Sequence, residues 1–517
     1  MRRHTRPGPH GQTYCHTNTC CDTNTCCRNN TWRDTHANAH RGTQRADAPL
    51  RLCGGQLMSL ITTVAPRTRR GVELVLLVFA IAIVLLAYAS TGIATTGTLP
   101  PSLLAYGAGL VVLTGAVHVT LRLRASYADP VLLPIATVLN GLGLVMIHRL
   151  DVAEGRSTGA SFAPKQLVWM ALGVTLALVI LWVLHDHRRL QRYTYTAMAA
   201  GLALLLLPLL PVLGKNINGS RIWIGLGPLS FQPGEIAKLC LAVFFAGYLV
   251  QTRDALSLVG PRVLGLSLPR ARDLGPIIVA WLASLGVLVF ERDLGSSLLF
   301  FGLFVAMLYV ATERRSWIAI GLGLFAAGSY LAYLLFGHVQ SRVLLWLDPF
   351  SAKALEVSSQ LVLGLFGMAN GGLLGTGLGR GRPDLTPYAE SDYIVPSFTE
   401  ELGLAGLFAL LVLYLVFVER GLRTALGVRD GFGKLLATGL AFTVALQCFV
   451  VVGGVTRVIP LTGLTMPFLS YGGSSLLANW AIVGLLLRIS DQARRPPPPV
   501  EPTSFTEDPA TEVVRLR

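Results

Sequence analysis

The sequence predicts an all-α polytopic membrane protein of about 12 transmembrane helices with one large extracytoplasmic loop. Three observations predict it. Of 517 residues, 52% are hydrophobic and only 14% charged, with mean hydropathy +0.56; a soluble globular chain carries roughly 25% charged residues. Apolar runs of roughly 16–22 residues, enough to cross a bilayer, recur along the chain. Arg and Lys gather in alternate short loops, the mark of membrane orientation. A soluble single-core enzyme, a disordered chain and a disulfide-stapled secreted domain are thereby excluded. The net charge of +15 is concentrated ahead of the first apolar run and in those loops, so it implies a membrane surface and no nucleic-acid partner.

Residues 1–57 differ from the rest. They are polar, rich in Thr, Asn, His and Arg, and contain most of the chain's cysteines. Their cysteines lack zinc-finger spacing and no apolar region makes a signal peptide. They are expected to be an upstream extension that is disordered or not normally translated, with Met58 as the working start. Residues 1–70 then form a basic tail. Spans follow near residues 71–90, 102–121, 130–148, 165–184, 193–213, 234–250, 275–291, 294–312, 317–336, 400–418, 434–454 and 474–487. The loops after the even-numbered spans carry Arg122 and Arg124, then Arg188, Arg189 and Arg192, then Arg253, Arg262, Arg270 and Arg272, then Arg314 and Arg315, then Arg420, Arg423, Arg429 and Lys434. These loops and both termini are expected to be cytoplasmic. A Pro-rich cytoplasmic tail, 490–517, closes the chain.

The long segment 337–399 is the one loop long enough to fold over a site. Its stretch Gly375-Thr376-Gly377-Leu378-Gly379-Arg380-Gly381 looks like a nucleotide loop. No strand precedes it and it faces away from ATP, so that reading is rejected.

Four polar constellations lie at the outer face. In the first, Asn218-Gly219-Ser220-Arg221-Ile222-Trp223-Ile224-Gly225 precedes Phe231-Gln232-Pro233-Gly234-Glu235-Ile236-Ala237-Lys238. Glu235 and Lys238 share a helix face. They read either as a structural ion pair or as functional charges, since intramembrane charges tend to pair or to work. Trp223 also fits an interfacial anchor. The second is Glu291-Arg292-Asp293-Leu294-Gly295-Ser296-Ser297, in which Asp293 suits either a helix N-cap or a base in a cavity. In the third, Arg342 could pair with phosphate or with Asp348; Ser391-Asp392-Tyr393 follows, and Glu400-Glu401 is placed at the opening of a helix, where acids suit the dipole. The fourth runs from Pro460 through Phe468-Leu469-Ser470-Tyr471-Gly472-Gly473-Ser474-Ser475. Prolines and glycines this dense at membrane depth imply irregular backbone along a cavity.

With these motifs together, the chain resembles the SEDS family of peptidoglycan glycosyltransferases, within it the RodA/FtsW group, and looks closer to the RodA branch. The resemblance covers about 129–489, so residues 71–121 are two extra N-terminal helices. It implies polymerisation of lipid II into β-1,4 glycan strands during cell elongation, in the bacterial plasma membrane, with a class B penicillin-binding protein transpeptidase as partner. It carries the catalytic aspartate over to Asp293 and the family's helix Glu and Lys to Glu235 and Lys238. The family's usual Gln-Pro before that aspartate is Glu291-Arg292 here, Asn-Ile-Gly is Val451-Val452-Gly453, and a usual glycine is Arg457. Arg221 and Arg342 are expected to stabilise the departing diphosphate. Trp223, Asp392, Ser470 and Tyr471 complete the expected substrate-binding set. The sequence requires no cofactor and leaves open help from Mg²⁺ or Mn²⁺. A lipid II flippase, a recruiting scaffold and an FtsW-type division enzyme stand as alternatives.

Overall fold

The computed structural model describes residues 68–496, apart from 158, 212, 218–219, 227–228, 257–261, 264–265, 268–274 and 292. The chain divides into residues 1–64 and 65–517. The first unit lies wholly outside the described residues, as do the expected Met58 start and the tail from 497.

The helices are α1 (Arg70–Thr96), α2 (Leu103–Arg124), α3 (Leu132–Ala153), α4 (Phe162–Val183), α5 (Thr194–Leu206), α6 (Gly234–Leu256), α7 (Gly275–Glu291) and α8 (Leu294–Thr312). There follow α9 (Arg315–Leu335), α10 (Gly337–Leu347), α11 (Ala352–Val357), α12 (Gln360–Gly371), α13 (Ile394–Gly427), α14 (Gly431–Val455) and α15 (Gly473–Arg494). Every expected span contains a helix, and among the described residues 10 helices are long and apolar enough to cross a membrane. The other two expected spans form the 13-residue α5 and the 17-residue α7. A 3₁₀ stretch, His187–Tyr193, precedes α5, and another containing Pro208 ends it, because proline supplies no N–H to continue the ladder.

The chain is not purely helical. Between α5 and α6, strands β1 (Gly214–Ile217), β2 (Ser220–Leu226) and β3 (Leu229–Phe231) form an antiparallel meander, and β4 (Arg262–Val263) pairs with β5 (Leu266–Ser267). The signal was in the sequence. Asn218-Gly219 and Gly227-Pro228 separate segments rich in Ile and aromatic residues, a hairpin pattern.

Helices α3 and α15 are the most buried of the bundle, and α9 the least. Small residues let backbones approach: Gly173 of α4 lies against Trp480 of α15, and Gly484 of α15 against Ala177 of α4. Such small-residue contacts supply packing where lipid offers no hydrophobic drive. The Trp480 indole donates to Asn140 Oδ1 at 3.1 Å, so a buried donor is satisfied across α15 and α3. The tail expected from residue 490 begins later. Helix α15 continues to Arg494, because its last turn is stitched to the chain before α3: Tyr127 N donates to Asp491 Oδ1 at 2.9 Å, and Asp129 N to Ser490 Oγ at 3.0 Å.

Glu400 and Glu401 do not open a helix. Helix α13 starts at Ile394 and breaks at Gly403, whose φ is 71°. Both acids therefore stand at the C-terminal end of a helical segment, where the dipole opposes them. Compensation comes from elsewhere in the chain. Arg149 Nε donates to Glu401 Oε1 at 2.9 Å and its Nη2 to Gly381 O at 2.6 Å. Gly379 N donates to Glu401 Oε2 at 2.9 Å, and Arg382 N to Glu400 Oε1 at 2.8 Å. The carbonyls of Glu400 and Glu401, orphaned by the break, accept from Thr376 N at 3.0 Å and Gly377 N at 2.9 Å. The glycine-rich loop thus spends its N–H groups on the chain's own acids and carbonyls. A Cβ at Gly375 would collide with the Glu401 carbonyl, which explains glycine there. Arg149→Ala leaves a buried carboxylate without its cation and is expected to destabilise by about 3–5 kcal/mol, read as a lower unfolding midpoint in detergent.

Candidate active site

Asp293 is the N-cap of α8. With extended backbone (φ −116°, ψ 102°), its Oδ1 accepts from Gly295 N at 2.9 Å and Ser296 N at 3.2 Å. The Ser296 hydroxyl donates to Oδ2 at 2.6 Å. A carboxylate offers about four acceptor sites, so the three donors leave about one, on Oδ2, for a ligand. The residue is 7% exposed. Burial raises its pKa, the Ser296 and Gly295 donors oppose the rise, and the Glu235 charge adds to it. Cap and candidate base are thus one residue: the cap fixes the carboxylate's direction and burial strengthens it as a base. The neighbouring Arg292 of the expected constellation lies outside the described residues.

Behind Asp293 stands a polar bracket. Lys238 Nζ donates to Glu235 Oε2 at 2.5 Å and to Gln447 Oε1 of α14 at 3.0 Å. Gln447 Nε2 donates in turn to Thr465 O at 2.8 Å. The Glu235–Lys238 pair therefore joins α6, α14 and the irregular segment 456–472. Sequence reasoning missed Gln447, although a glutamine inside an apolar span is a visible signal.

Ser470 and Tyr471 tie that segment to the large loop. The Ser470 hydroxyl donates to Ser391 O at 2.7 Å and accepts from Met466 N at 2.8 Å. Tyr471 N donates to Glu390 O at 2.7 Å, while its ring stacks on Phe162 at 4.5 Å. Asp392 is set beside these tethers. Arg342 of α10 is near it: a Cβ added to Gly463 would lie 3.8 Å from both Arg342 Nη2 and Asp392 Oδ2, and Arg342 Nη1 donates to Leu461 O at 3.4 Å. Asp348, the other partner considered for Arg342, is exposed. Burial pushes Asp392 up to about 6; Arg342 opposes this, and Glu390 and Asp293 add to it. Asp293, Asp392 and Arg342 thus form one electrostatic group.

A groove of about 520 Å³ opens from this group between α8, α9, α10 and α14. Leu294, Ser297 and Phe301 line one wall and Arg342 and Trp346 another. Asp293 is not among the residues that line the groove; its chain neighbour Leu294 is. Arg221 and Trp223 are on β2, the former exposed and the latter partly buried; among the described residues, no ion pair or hydrogen bond joins Arg221 to Asp293, Asp392 or Arg342. Among the described residues no group of three His, Cys, Asp or Glu side chains could hold a metal ion.

The FtsW/RodA/SpoVE cell cycle protein family matches residues 130–495, well over half of the chain. The chain belongs to that family. The peptidoglycan glycosyltransferase RodA of Mycobacterium tuberculosis is 49% identical over 435 residues, covering 83% of this chain and 92% of that protein. Among solved structures, one described as a peptidoglycan synthase complex coordinating polymerization and crosslinking aligns with a TM-score of 0.57 at 28% identity, over 71% of this chain and 98% of the other. The Thermus thermophilus rod shape determining protein RodA aligns at 0.50 and 28%, over 70% and 96%. As in its family, this chain is a multi-pass membrane protein.

Asp392 provides a test of the site's electrostatics. Its folded pKa, about 6, lies above the ordinary 3.8, so the folded state holds the proton more tightly. Its contribution to stability is present at low pH and declines as pH rises between those values. Asp392→Asn is expected to remove that decline, measured as the unfolding midpoint against pH.

Proposed function

We propose that this chain is a RodA-type peptidoglycan glycosyltransferase that polymerises lipid II during cell elongation, with Asp293 as general base. The observation that carries the reading is the capped, buried Asp293 carboxylate, grouped electrostatically with Asp392 and Arg342, beside an apolar groove lined by its neighbour Leu294 and by Arg342. Membership in the family and the 49% identity to a protein named peptidoglycan glycosyltransferase RodA support it.

Lipid II presents a sugar on a polyprenyl diphosphate. The diphosphate is already a good leaving group, so no nucleotide is needed. Asp293 takes the proton from the acceptor sugar's 4-hydroxyl. The freed oxygen attacks the donor's anomeric carbon as the bond to the diphosphate breaks, and the electron pair leaves with undecaprenyl diphosphate. Attack opposite the leaving group converts the α-linked donor into a β-1,4 bond. Arg342 meets the developing diphosphate charge, and the groove takes the hydrocarbon tail. Arg221, exposed on β2, is placed to meet sugar or phosphate from outside the bundle. Trp223 offers the ring beside it. Glu235 and Lys238 hold α6 and α14 so that the cavity keeps its shape. Ser470 and Tyr471 fix the loop carrying Asp392. Mg²⁺ or Mn²⁺, which binds through one or two carboxylates together with substrate phosphates, could help to hold the diphosphate. The Arg-rich loops and both termini face the cytoplasm, so the site opens on the opposite side. A class B penicillin-binding protein would crosslink the product.

Asp293→Asn keeps volume and removes the base, so the purified chain with its partner should polymerise lipid II about 10²–10⁴-fold more slowly. Wild-type polymer made in detergent, where there are no sides to cross, would distinguish polymerisation from transport. A normal rate in Asp293→Asn would end the assignment. Wild-type activity should also fall on acidification at a pH above that expected for an ordinary aspartate, since Asp293 must be ionised to accept the proton.

A further inference from the structure

Arg457 follows α14 and adopts a left-handed backbone, φ 61°. Glycine enters that region freely and a side chain does so at a cost. The side chain here is fully employed. Arg457 Nε donates to Trp346 O at 3.1 Å and Nη2 to Leu347 O at 3.0 Å, while the Trp346 indole donates back to Arg457 O at 3.0 Å. Trp346 and Leu347 end α10, so the guanidinium satisfies carbonyls that the helix leaves unpaired and places a cation at its negative end.

The position of this clamp matters more than its strength. Trp346 and Arg342 of α10 form one wall of the apolar groove, and Val458, Ile459 and Leu461, just beyond Arg457, form the facing wall. Arg342 reaches the second wall through its 3.4 Å bond to Leu461 O. The three hydrogen bonds at Arg457 and Trp346 therefore join the walls at one end and keep α10 from swinging away. We infer that Arg457 is a positioning residue, which sets the groove's width and the aim of Arg342 for a polyprenyl diphosphate. This rests on the glycosyltransferase reading above and adds a residue to it.

The test compares wild type, Arg457→Gly and Arg457→Lys as full chains. Two quantities are measured: direct binding of undecaprenyl diphosphate, and lipid II polymerisation in the presence of the transpeptidase. Arg457→Gly relieves the backbone and opens the clamp. It should bind undecaprenyl diphosphate about tenfold more weakly and raise KM by a similar factor, with kcat within about twofold. Its unfolding midpoint should match or exceed that of wild type. Arg457→Lys, which keeps a cation, should recover part of the binding. Unchanged binding and KM in Arg457→Gly would overturn the inference, as would a lower unfolding midpoint with kcat lost at constant KM. Absence of polymer from wild type, with binding still weakened in Arg457→Gly, would refute the polymerase reading and leave the clamp standing. Failure of wild type to bind undecaprenyl diphosphate would refute the clamp's role.

Discussion

A backbone N–H or carbonyl shut away from water must find a partner within the protein, so irregular chain packed into the molecule survives only where protein groups receive it. This constraint governs the two segments that matter most here. The glycine-rich loop before α13 is received by Glu400, Glu401 and Arg149. The segment between α14 and α15 is received by Gln447, and by Gln166, whose amide donates to Ser470 O at 3.1 Å. Buried charges in this chain hold open the irregular backbone around the site. A buried ion pair is weak evidence for stability, and its service here is to specify one conformation of otherwise unpaired chain.

That scaffolding accounts for the chemistry proposed at Asp293. The base lies at a helix end, reached through a connection of two residues between α7 and α8, so little chain is free to relax. Glu235 and Asp392 both set like charge against it, while Arg342 supplies the opposite sign in the groove's lining. Acid and cation are thus delivered by separate elements, α8 and α10, whose relative placement depends on the segment beyond α14.

The helical bundle could be read from hydropathy alone, because a span's length is set by the bilayer. Asp293, Glu235 and Lys238 could be found because ionisable groups in apolar surroundings demand a reason. The meander β1–β3 was passed over, although Asn218-Gly219 announces a hairpin, because a short sheet between spans leaves no mark on hydropathy. Glu400 and Glu401 were misplaced for a different cause: acids at the edge of an apolar run look like a helix start, and only the break at Gly403 shows them at an end. Their partner Arg149 is 252 residues away in sequence from Glu401, and no local pattern joins two such positions. Arg457 stood out as a departure from the family, but its bonds to α10 depend on tertiary placement.

The dual employment of Asp293 has a mechanical corollary. Under the proposed chemistry its carboxylate gains a proton once per lipid II joined, and a protonated carboxyl is a poorer acceptor for the N–H groups that begin α8. Each round of synthesis would therefore slacken and then retighten one helix tip, a rhythm transmitted to the groove through Leu294 and Ser297.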